Sequence, residues 1–192
     1  MALFLGCPAW GVKGWIGGFL PAKTRPADLL AAYSRRLNTV EGNTTFYALP
    51  SAEQVERWRD ATPPGFRFCL KFPQTISHRK RLSDCEAETE AFVDRLRRLG
   101  DRCGPAFLQL PPTFSSAHLP QLRTYLDCLP GDLSFVVEPR HVDFFSESEG
   151  EQALDTLLHE RGIARGVCRS WRADRPSHAR SVQGPRCSLR VR

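Results

Sequence analysis

Residues 106–138 read AFLQLPPTFSSAHLPQLRTYLDCLPGDLSFVVE, and this stretch decides the fold. Ala106 to Leu110 is a short apolar run closed by Pro111 and Pro112, as expected of a strand buried on both faces. A helical segment follows near Leu119 to Leu129, and a second apolar run extends from Leu133 to Val137. Two strands with a helix between them cannot form a hairpin. The connection is a crossover, which sets the strands parallel.

The same alternation extends in both directions. Upstream strand candidates are Leu3 to Ala9, Thr39 to Phe46 and Phe66 to Phe72, and Ile163 to Cys168 is a sixth downstream. Pro26 suits a first helical turn ahead of Leu29, Leu30, Tyr33 and Leu37. Ser51 with Gln54 three residues on is a capping-box pattern. Glu86 to Leu99 places Phe92, Leu96 and Leu99 on one helix face with Gly100 as a stop, and Glu149 to Arg161 aligns Leu154, Leu157 and Leu158. Strands begin about every 32 residues. The class is α/β, and a doubly wound sheet and a (β/α) barrel both fit. No G-x-G-x-x-G follows the first strand and no P-loop occurs, which disfavours a nucleotide-binding sheet.

At 192 residues, with 41% apolar and 25% charged side chains, the chain has enough material for one sizeable core. No apolar run nears the roughly 20 residues needed to span a bilayer. The opening MALFLGCPAW lacks a basic n-region and reads as a first strand, so a cytoplasmic protein without membrane contact is expected. Seven widely spaced cysteines form neither a zinc ladder nor a disulfide framework, and Cys7, Cys69 and Cys168 lie in apolar runs that suit inert buried thiols.

The net charge of +6 is local. Arg165 to Arg192 holds eight arginines and one acid, whereas residues 1–164 hold 19 Lys+Arg against 20 Asp+Glu. Global charge therefore does not support a nucleic-acid surface on the body of the protein. Residues 1–168 read as one partial barrel, and 169–192 as a basic irregular tail with neither strand nor helix period. A disordered tail and a basic nucleic-acid arm both fit that tail; translation in a shifted frame is favoured, because the break falls as the sixth strand ends. A (β/α)₈ barrel usually takes about 250 residues, so an incomplete barrel of about six units is expected.

In such folds the working face lies at the C-terminal ends of the strands. Those ends carry Glu41, Asn43, Thr45, Phe46 and Tyr47 on the second strand, and Lys71 with His78 on the third. Gln109 stands on the fourth, and Glu138, Arg140 and His141 close the fifth. Buried charge needs a partner or a ligand. Glu41 with Lys71 and Glu138 with Arg140 are the expected structural pairs; convergence of the whole set argues for a ligand site.

EGNTTFYALPS (41–51), GFRFCLKFPQTISHRKRL (65–82), FLQLPPTF (107–114) and VVEPRH (136–141), in this order, resemble the motif set of the DUF72 (YecE-like) family. GCPAWGVKGWIGGFLP (6–21) resembles its N-terminal segment, and the likeness covers about residues 3–168. The resemblance implies a TIM-barrel-like fold and brings no agreed activity. It also implies further βα units beyond those read here.

Three functions are expected to compete. In an enzyme, Glu41 would be a base or ligand of a divalent metal, Lys71 and Arg140 anion anchors, His78 a proton shuttle and Glu138 the second carboxylate. Such a site suits hydrolysis of a phosphorylated or nucleic-acid substrate, although no H-E-x-x-H or nucleophile elbow names the reaction. In a non-catalytic module for a small molecule or nucleic acid, Trp10, Trp15, Phe46 and Tyr47 would stack on the ligand. A truncated product without function is the third.

Overall fold

The computed structural model describes residues 3–166. Among the described residues, six parallel strands follow one another in space in chain order: β1 (Gly6–Cys7), β2 (Thr39–Gly42), β3 (Arg67–Leu70), β4 (Ala106–Gln109), β5 (Phe135–Glu138) and β6 (Ala164–Arg165). Continuous ladders join β1 to β2 to β3, and β4 to β5 to β6. Two isolated parallel bridges, Phe68 with Cys103 and Lys71 with Phe107, connect β3 to β4. Pro105, just ahead of β4, has no N–H to offer a ladder. A doubly wound sheet reverses its strand order at a switch point. Here the order never reverses, so the strands form the arc of a (β/α) barrel.

Helices α1 (Leu29–Ser34), α2 (Thr44–Tyr47), α3 (Ala52–Asp60), α4 (Glu86–Arg98), α5 (Leu119–Asp127) and α6 (Glu149–His159) lie in the connections. The expected capping box forms, with Ser51 Oγ accepting from Gln54 N at 3.2 Å, and Ser148 caps α6 by accepting from Glu151 N at 3.1 Å. Gly100 adopts the left-handed conformation (φ +55°) that ends α4.

Alternate residues of each strand face the helices. Val40, Phe68, Leu70, Leu108, Phe135 and Val137 belong to the helix-side core with Val55, Phe92, Leu96, Leu122, Leu154 and Leu157. Register partners share a face, so the opposite, inner face carries Glu41 beside Cys69, Lys71 beside Phe107, and Gln109 beside Glu138. Sequence period and register together send the polar residues inward.

The second strand is shorter than expected. It stops at Gly42, and Thr44–Tyr47 turns into α2. A Cβ at Gly42 would lie 2.5 Å from Leu70 Cδ2, so this close approach needs glycine. The sixth strand is described only at Ala164–Arg165; Cys168 and the tail 169–192 lie outside the described residues.

Candidate functional site

A side-chain chain crosses three neighbouring strands on the inner face. Lys71 Nζ donates to Gln109 Oε1 at 3.0 Å, and Gln109 Nε2 lies 3.1 Å from both carboxylate oxygens of Glu138. Arg140 Nη1 reaches Glu138 Oε1 at 3.4 Å. Glu138 is only 7% exposed, so these donors replace the water its carboxylate would otherwise bind. The expected Glu138–Arg140 pair therefore forms. The expected Glu41–Lys71 pair does not: Lys71 reaches across to β4, and the Glu41 carboxylate accepts from its own neighbour Asn43 at 2.8 Å.

Aromatic and imidazole rings frame the lysine. Lys71 Nζ lies 4.4 Å from the Phe46 ring centroid, a cation–π contact, and the His78 ring packs edge-on to Phe46 at 5.0 Å. His78 sits in a π-helical turn, Thr75–Arg79, and its Nδ1 shares a 2.8 Å hydrogen bond with Ser77 Oγ. Burial holds its pKa below the ordinary histidine value, and the positive charges of Lys71 and Arg140 add to the effect. At neutral pH the ring is an uncharged proton acceptor in a positive field.

The other expected residues have different surroundings. Thr45 is fully buried, and its hydroxyl lies 2.8 Å from Gly42 O and 2.6 Å from Lys71 O, fastening α2 to the ends of β2 and β3. Tyr47 is 74% exposed beside Phe46. His141 accepts from Asp143 N at 3.2 Å, and Asp143 in turn accepts from Ser116 N at 3.0 Å. Its imidazole thus helps join the loops after β4 and β5.

One expectation needs correction. Trp15 does not join Phe46 and Tyr47: it stacks on Tyr33 of α1 at 5.9 Å. Among the described residues no three His, Cys, Asp or Glu side chains converge as a metal site. Glu138 accepts from the Gln109 amide and the Arg140 guanidinium, and Glu41 Oε1 accepts from the Asn43 amide.

Trp58, Gln54 and Ser77 were not singled out from sequence as site residues. Trp58 and Gln54 line a cleft with Trp10, Glu41 and Asn43. The only sequence signal was that both project from a helix starting right after the 41–51 motif.

The DUF72 family model, described as "Protein of unknown function DUF72", matches residues 4–191. The UPF0759 protein YecE of Escherichia coli K12 is 43% identical over 177 residues, 92% of this chain and 61% of that protein. The UPF0759 protein YunF of Bacillus subtilis is 28% identical over 86% of this chain and 60% of its own length. The chain thus spans about three fifths of the curated relatives it matches. Crystal structures of DUF72 family proteins from Enterococcus faecalis V583 (TM-score 0.67, 21% identity, 84% of this chain and 59% of that one) and Thermotoga maritima MSB8 (0.65, 25%, 84% and 63%) share the fold. The architecture is TIM-barrel-like. Among the described residues no helix is long and apolar enough to cross a membrane.

Proposed function

The chain belongs to the DUF72 family, whose activity is unassigned, and from that premise we propose that it binds an anionic small molecule, such as a phosphate ester, at the C-terminal ends of β3 to β5. The observation that carries this reading is the continuous Lys71–Gln109–Glu138–Arg140 chain on the inner face. Gln109 fixes the position of Lys71, and Glu138 fixes that of Arg140, so two cations are held in place on one surface before any ligand arrives. Such preorganisation lowers the ordering cost of binding. Asn43, Thr45, Tyr47 and His141 would shape the surroundings of the site.

The test is a calorimetric titration of phenyl phosphate and inorganic phosphate into the chain. Saturable binding is expected, weakened about tenfold or more in Lys71→Met or Arg140→Met. Absence of saturation, or variants that bind as the parent does while folding normally, would remove the site.

A hydrolytic version has one specific observation in its favour: His78 is kept neutral beside the lysine. In that version a water attacks phosphorus, His78 takes its proton, and the ester oxygen leaves with the bond electrons. Phenol release that disappears in His78→Asn supports hydrolysis. Binding without release supports a recognition module.

A further inference from the structure

A cleft of about 540 Å³ opens beside the end of β2, between the loop after β1 and helix α3. It is lined by Trp10, Trp58, Glu41, Asn43, Gln54 and Leu49. The Trp10 and Trp58 rings stand 5.1 Å apart at 76°, so they present differently oriented aromatic surfaces. Trp58 is held from behind by Phe68, on which it stacks at 6.2 Å.

Glu41 is the charged group of this lining. Asn43 Nδ2 donates to its Oε1 at 2.8 Å, and that amide also lies 3.3 Å from the Pro8 carbonyl, which sets its orientation. Among the described residues, no lysine, arginine or histidine forms an ion pair with Glu41, in contrast to Glu138 with Arg140. A half-buried carboxylate that faces an aromatic cleft lacks the counter-charge that the interior of a protein normally supplies.

We infer that this cleft binds an organic ammonium group, with the charge against Glu41 and the tryptophan rings and the apolar substituent along Leu49 and Pro50. Three features select that chemistry. The carboxylate attracts a cation and repels an anion. Indole faces favour ammonium groups through the ring quadrupole. The volume falls in the range of small-molecule pockets, roughly 300–1,000 Å³. A bare metal ion fits poorly, because one carboxylate and an amide leave most of a hard cation's oxygen shell unfilled. This cleft does not depend on the anion site, which uses β3 to β5.

The test uses the full chain and three probes: benzylammonium, benzyltrimethylammonium and neutral benzyl alcohol. Tryptophan fluorescence should be quenched saturably by at least one of the ammonium probes. Benzyl alcohol should bind about tenfold or more weakly. Glu41→Gln keeps an acceptor for Asn43 and should reduce ammonium affinity to that of the alcohol, with an unchanged thermal melt. The inference is overturned if neither ammonium saturates, if the alcohol binds as well, or if Glu41→Gln binds as the parent does. The probe comparison needs no variant, so it decides the question even if the substitution unfolds the chain. Phosphate titrated into Glu41→Gln reads the Lys71 site separately, so failure of one site is distinguishable from failure of the other.

Discussion

Gln109 holds Glu138 by both carboxylate oxygens, its amide nitrogen 3.1 Å from each. This contact satisfies a carboxylate that is only 7% exposed. Gln109→Leu removes both bonds, leaves Glu138 only its contact with Arg140, and should cost about 2–3 kcal/mol, the penalty of under-satisfying a buried acceptor. Gln109→Glu should be worse at neutral pH, because two carboxylates would then face each other. Its deficit should shrink as pH falls and one of them takes a proton. Chemical denaturation of both variants at neutral and mildly acidic pH checks this, and a pH-independent deficit for Gln109→Glu would contradict it.

His78 should make the fold sensitive to acid. Its folded pKa is depressed by burial and then by Lys71 and Arg140, relative to 6.5 in the ordinary group. Between those two values the unfolded chain binds a proton that the folded chain refuses. Stability therefore falls as pH drops below about 6.5, by at most about 1.4 kcal/mol per pH unit. Denaturant melts of the parent against His78→Asn isolate the contribution, since the asparagine has no such titration.

Tyr33 ties the first two strands together. Its hydroxyl accepts from Cys7 N at 2.7 Å and donates to Thr39 O at 2.9 Å. Burial pushes the phenol's pKa well above its ordinary value, so it stays protonated and can serve both partners. Tyr33→Phe should cost about 1–3 kcal/mol. Hydrogen exchange should show the loss first at the Cys7 amide; equal protection in the variant would mean that the bridge contributes nothing.

The cysteines should differ in reactivity. Cys103 is pushed up to about 11 by burial, and the Cys69 thiol is raised for the same reason, whereas Cys128 is exposed. The thiolate is the nucleophile. Timed alkylation of the native chain, read by peptide mass mapping, should modify Cys128 first among these three and leave Cys103 until the chain unfolds. Early labelling of Cys103 would show that it is not held as described.

The strand–helix alternation was legible because buried parallel strands leave short apolar runs that end in prolines and polar residues, as in AFLQLPP. The choice of a barrel over a doubly wound sheet was not legible from period alone, since it depends on strand order. The site was legible as a set of residues and not as a set of contacts. Glu41 and Lys71 have the right charges to pair, yet the side chain of Lys71 meets Gln109, because the β3–β4 bridge brings Phe107 level with Lys71 and Gln109 stands two residues beyond it on the same face. The end of β2 was overestimated because Thr44, Thr45 and Phe46 have strand-like composition, while contacts from Thr45 to two backbone carbonyls turn them into a helix. Trp58 escaped notice as a cleft wall because a tryptophan on an amphipathic helix usually serves the core, and this one does both.

The six strands are not sewn together evenly. Two three-strand ribbons meet at β3 and β4 through isolated bridges, and the Lys71–Gln109 bond lies across that joint like a clasp. The place where the backbone holds itself least continuously is thus the place where polar side chains are called upon to hold it. A molecule lodged against Lys71 and Arg140 would straddle the joint, so its arrival should register as stiffness between two halves of the wall, felt far from the atoms it touches.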